Sequence, residues 1–159
     1  MSNLEMKLNK MGIILPNAPP PAANYLPFVK VDKIVYVSGQ ISADSGTLIK
    51  GLLGDNMTIE EGKFAAKQCA INLLTQVKMA CGGDLDRLER VVKLGGFVNS
   101  TSLFWDQPSV INGASDFLVD FLGEKGRHTR TAVGAVSYTH LRAHETPEHL
   151  GCRRRGGKK

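Results

Sequence analysis

The stretch from Thr58 to Gly83 constrains this chain more than any other segment. Thr58 and Glu61 form a Thr-x-x-Glu capping box, in which hydroxyl and carboxylate each satisfy a backbone N–H that a helix start leaves orphaned. Phe64, Ala65, Cys69, Leu73, Val77 and Ala80 then keep one face apolar until Cys81-Gly82-Gly83 stops the helix. A helix of this length must lay its apolar stripe on something broad. The runs around it are β-rich. Val29 and Val31, a polar Asp32-Lys33 step, and Ile34 to Val37 read as a hairpin within Leu26 to Gln40.

After the Asp44 to Gly46 turn, only a short strand near Leu48 is expected before the capped helix. Beyond it, RLERVVKLGGFVN reads as a strand, with Gly95-Gly96 marking a bulge or a close backbone approach. A second helix follows Pro108, with Val110, Ala114, Phe117, Leu118 and Phe121 on one face and Gly123 closing it. Arg130 to Val136 is short, small and β-compatible. The order β-β-α-β-α-β predicts an α+β sandwich with two helices on one face of a mixed sheet. At the N-terminus, Leu4, Leu8 and Met11 predict a short helix capped near Gly12, and NAPPPAAN an extended connector. Residues 1–24 are thus read as an extension and 25–137 as the domain.

The formal charge of +5 raises the question of nucleic acid, so its location matters. From Tyr138 onward six Lys and Arg face two acids, which leaves fourteen against thirteen in the first 137 residues. The basic character belongs to the tail. YTHLRAHETPEHLGCRRRGGKK has neither helical nor strand periodicity and reads as disordered. It is similar to peptide translated onward from a gene fragment into vector or adapter sequence, and residues 138–159 are expected to be non-native. His140, His144, His149 and Cys152 are capable zinc ligands, but HETPEH is not the HExxH motif: one extra residue and Pro147 spoil presentation on one helix face. No metal site is expected. Cys69, Cys81 and Cys152 have no disulfide or metal pattern and are read as idle thiols. No apolar run reaches the roughly 20 residues of a membrane span and no secretory h-region opens the chain, so a cytoplasmic protein is expected.

Taken in order, AANY, YVSGQ, the capped helix with CGGDLDRLERVVK, GFVNS, VINGASDFL and GRHTRTAVGAVS resemble successive blocks of the reactive intermediate deaminase (Rid, YjgF-type) family. The branch with an N-terminal helical extension is the most similar. The resemblance covers nearly all of residues 1–137. It implies a chorismate-mutase-like α+β fold, a homotrimer with active sites between subunits, and hydrolysis of enamines and imines of small amino acids to 2-keto acids and ammonia. No cofactor is implied.

Carried over residue by residue, the resemblance places the family's carboxylate-binding arginine on Arg130, whose planar guanidinium can grip a carboxylate bidentately. Tyr25 falls on the tyrosine bordering the pocket, Ser38 and Gly39 on a hydroxyl and a close-approaching backbone, and Asn112 on the asparagine nearby. Ala132 stands where many members have cysteine, so no thiol nucleophile is implied. Family members continue into a final strand carrying a glutamate at the site. That strand is expected to be missing after Ser137, which leaves the catalytic group unknown, since nothing places Glu145 or Glu148 in the pocket. Two other readings remain. A non-catalytic trimer would capture small carboxylates through Arg130. A ribonuclease has against it a body of net charge +1 with His128 as its sole histidine.

Overall fold

The computed structural model describes residues 2–17 and 24–135. Helix α1 (Asn3–Lys10) is followed by strands β1 (Phe28–Val31) and β2 (Ile34–Val37), then by a small hairpin of β3 (Ala43–Asp44) and β4 (Thr47–Leu48). Helix α2 (Ile59–Ala80), strand β5 (Lys93–Asn99), helix α3 (Gln107–Leu122) and strand β6 (Thr129–Ala135) complete it. The expected tail, its candidate ligands His140, His144, His149 and Cys152, and most of the proline connector lie outside the described residues.

Local chemistry explains the boundaries. Ser2 and Glu5 form a capping box on α1, and Thr58 and Glu61 form the predicted one on α2. Beyond the helix ends, Gly12, Gly82, Gly83 and Gly123 all take positive φ, a conformation that side chains with a Cβ resist. Helix α1 is tied down at both ends. Asp86 accepts the N–H groups of Asn3 and Leu4, both at 2.8 Å, while Lys7 Nζ donates to the Phe121 carbonyl at 2.7 Å. An anion thus sits at a helix N-terminus and a cation at the C-terminal end of α3.

The core lies between α2, α3 and the strands, with Leu74, Leu85 and Phe121 fully buried and Leu8 of α1 sealing one end. On α3 the predicted stripe is buried as expected, joined by Ile111 and Leu122. On α2 the fully buried stripe is rotated from the predicted one, of which Leu73 and Val77 still pack against the core as partly buried residues. Gly62, Ala66, Ala70, Ile71 and Leu74 are buried, whereas Phe64 is 47% exposed. The two helices approach so closely that only small residues fit at their contact: a Cβ on Gly62 would press on Val110 at 3.1 Å. Phe64 is too large for that seam and lies outside it.

The α+β architecture is found, but the described strands form three two-stranded ladders rather than one continuous sheet. β1 and β2 are antiparallel about the Asp32-Lys33 turn, with Asp32 at φ 52°. β5 and β6 are parallel, which requires the crossover that α3 supplies. Helix α2 lies over the hairpin and α3 over the parallel pair. Each pair is fixed by its own connection, and packing of the helices holds the pairs in place. The β5–β6 register runs unbroken from Lys93↔Thr129 to Asn99↔Ala135, so Gly95-Gly96 makes no bulge. Gly96 is instead a close approach, with Ile111 within 2.5 Å of where a Cβ would stand.

Candidate functional site

Strand alternation decides where Arg130 points. In the parallel ladder Leu94, Gly96 and Val98 face the helices, and their partners Arg130, Ala132 and Gly134 share that face. Arg130 therefore reaches α3 and not the outer surface of the sheet. Its Nη1 donates to Asn112 Oδ1 at 2.7 Å and to Ser115 Oγ at 3.2 Å. Asn112 and Ser115 stand three residues apart on α3, the spacing that puts two side chains on one face. Arg130 and Asn112, paired in the sequence only by family resemblance, are thus in direct contact. Arg130 nevertheless remains an exposed residue.

The contact extends further. Ser115 Oγ lies 3.1 Å from His128 Nε2, and His128 Nδ1 lies 2.5 Å from the carbonyl of Gly126. Neither Ser115 nor His128 stood out in the sequence as a site residue. The available signals were weak: Ser115 lies three residues beyond Asn112, and His128 two residues before Arg130.

Tyr25, Ser38 and Gly39 form a second group at the start of β1 and the end of β2. Ser38 Oγ donates to the Leu26 carbonyl at 2.6 Å and its N–H to that of Pro27 at 2.9 Å, which fixes the backbone beside Tyr25. The Tyr25 ring is 50% exposed. Around Gly39 nothing among the described residues beyond its chain neighbours lies within 4 Å of a Cβ position. Among the described residues no hydrogen bond joins this group to Arg130.

Residues 5–138 match the sequence profile of the family described as "YjgF/chorismate mutase-like, putative endoribonuclease". The chain belongs to the YjgF family. Protein TCP17 of Trypanosoma cruzi is 46% identical over 131 residues, covering 81% of each chain. Two solved structures have the same fold. Atu1372 of Agrobacterium tumefaciens, a protein of unknown function, superposes with a TM-score of 0.79 at 44% identity, over 86% of this chain and 84% of its own. A "putative endoribonuclease" of Shewanella oneidensis gives 0.79 at 33% identity, over 83% and 87%.

In this YjgF-family chain Cys69 is a free, partly buried thiol on α2. Burial pushes the Cys69 thiol up to about 11, so it is protonated and inert at neutral pH. Among the described residues no three His, Cys, Asp or Glu side chains converge to hold a metal, and no helix is long and apolar enough to cross a membrane. An open cleft of about 340 Å³, walled by Ser100, Phe104, Trp105, Gln107 and Gly134, does not include Arg130.

Proposed function

We propose that this YjgF-family protein hydrolyses reactive enamines and imines of small amino acids to 2-keto acids and ammonia, with Arg130 binding the substrate carboxylate. The observation that carries the reading is the held guanidinium: Asn112 and Ser115 fix its direction, yet Arg130 stays exposed, and among the described residues its Nε and Nη2 donate to no acceptor. For 2-aminoacrylate, tautomerisation moves a proton from nitrogen to the terminal carbon, water adds to the resulting C=N carbon, and ammonia leaves as the C–N bond breaks. Gripping the carboxylate holds that carbon in place. The group that activates the water is not assigned.

The functional unit is proposed to be a homotrimer with sites between subunits. Two observations support this. Among the described residues no hydrogen bond joins Tyr25, Ser38 or Gly39 to Arg130, as expected if each group completes its site with a neighbour. In addition, the strand faces turned away from the helices carry Val29, Val31, Ile34, Tyr36, Phe97 and Val133, each at least 40% exposed, and apolar faces grouped in this way mark interaction surfaces.

The family description and the Shewanella relative favour a second reading, endoribonuclease. Against it stands the near-neutral charge of the first 137 residues. Ammonia release from freshly generated 2-aminoacrylate tests the proposal. Turnover supports the deaminase, saturable binding without turnover supports a carboxylate-binding module, and salt-sensitive RNA cleavage without ammonia release supports the nuclease.

A further inference from the structure

We infer that Ser115 and His128 are positioning residues for Arg130, forming a hydrogen-bonded chain that dictates which edge of the guanidinium a carboxylate can use. The inference rests on the carboxylate-binding reading of Arg130 and adds two residues and a docking direction to it.

Donor and acceptor chemistry fixes the direction of every link. A carbonyl only accepts, so the proton between His128 Nδ1 and the Gly126 oxygen, 2.5 Å apart, belongs to Nδ1. In the neutral imidazole Nε2 is then an acceptor, and the Ser115 hydroxyl, 3.1 Å away, donates to it. With its own proton so committed, Ser115 Oγ offers its lone pairs outward. Arg130 only donates, and its Nη1–H meets that oxygen at 3.2 Å. Nη1 also donates to Asn112 Oδ1 at 2.7 Å.

Nη1 is therefore engaged by two acceptors on α3. A carboxylate at the Nη1/Nη2 edge would have to compete with both, which points it to the Nε/Nη2 edge, the other face of the fork that matches a carboxylate. The anchor of the chain is rigid. Gly126 is buried, and a Cβ there would stand 2.2 Å from the Leu118 carbonyl oxygen, so the turn carrying its own carbonyl is packed directly on α3. His128 thus transmits the position of a fixed backbone oxygen, through Ser115, to an otherwise flexible side chain.

Two measurements on the full chain test this. The first needs no ligand: NMR of the 15N-labelled protein should find His128 protonated on Nδ1 at pH 8 and a restricted Arg130 Nε–H that becomes mobile in Ser115→Ala and His128→Phe. The second is titration with pyruvate. Each of those variants should weaken binding about 3- to 10-fold, the size of one lost hydrogen bond, and the double variant should be no worse than either single one, as for members of one chain. Ser115→Thr and His128→Gln, which keep the hydroxyl and an acceptor, should stay near wild type. An Nε2-protonated His128, or unchanged Arg130 mobility and pyruvate affinity in Ser115→Ala, would overturn the inference. Loss of binding in Arg130→Met with wild-type affinity in Ser115→Ala refutes the chain alone. Equal pyruvate binding by wild type and Arg130→Met refutes the carboxylate reading and the edge assignment with it.

Discussion

Gly113 of α3 lies directly against the backbone of Lys63 in α2: a Cβ built on Gly113 would stand 2.1 Å from the Lys63 carbonyl oxygen. Neither partner can give way, because one is backbone and the other is fixed in a helix whose next residue toward the core, Ala114, is buried. The close crossing sets the position of Asn112 and Ser115, which flank Gly113 on the same helix.

Gly113→Ala should therefore destabilise the protein by about 1 to 3 kcal/mol, the range of overpacking in a dense interior. Gly95→Ala is the control within the subunit, since among the described residues a Cβ there meets only Phe97 at 3.9 Å. Thermal melts of the two variants should separate clearly, and equal melting temperatures would contradict the close packing.

Arg130→Met keeps much of the side-chain length but removes the charge and the forked donors. The loss expected is roughly 2 to 4 kcal/mol of transition-state binding, or about 30- to 1,000-fold in kcat/KM for imine hydrolysis, with the fold retained. An unchanged kcat/KM would remove Arg130 from the site.

Acid should release α1 before the rest of the fold. Lys78 and the Ser2 N–H hold the Glu5 carboxyl below its ordinary value, and the N–H groups of Leu4 and Asn3 do the same for Asp86. Both folded-state values are depressed, so their contribution is complete above the unfolded carboxylate range near pH 4 and is lost as the pH falls through the lower folded values. Hydrogen exchange along an acid series should show α1 amides losing protection first. Simultaneous loss in α1 and α3 would argue that these carboxylates do not control its docking.

Phe97 is 74% exposed on the face away from the helices, beside Val133. If that face joins subunits, Phe97→Lys should abolish the trimer while leaving the monomer folded, because a buried unpaired charge is costly but an exposed lysine is not. Light scattering coupled to size exclusion reads the outcome directly. A Phe97→Lys variant with the wild-type mass would move the interface elsewhere.

What the sequence determined by itself was local. The capping box at Thr58 and Glu61, the glycine stops at Gly82 and Gly123, the apolar stripe of α3 and the hairpin about Asp32-Lys33 are short-range chemistry, and each is legible within a few residues. Family resemblance added Arg130 and Asn112, eighteen residues apart, and the structure brings them into contact. What only the tertiary structure decided was which surfaces meet. The buried face of α2 turned away from Phe64 toward Gly62, Ala66 and Ala70, because the partner helix came close enough to exclude a large ring. Ser115 and His128 joined Arg130 for a similar reason. Strand parity, the turn at Gly126 and the helix crossing together fix their distances, and the spacing of residues along a chain encodes none of these alone.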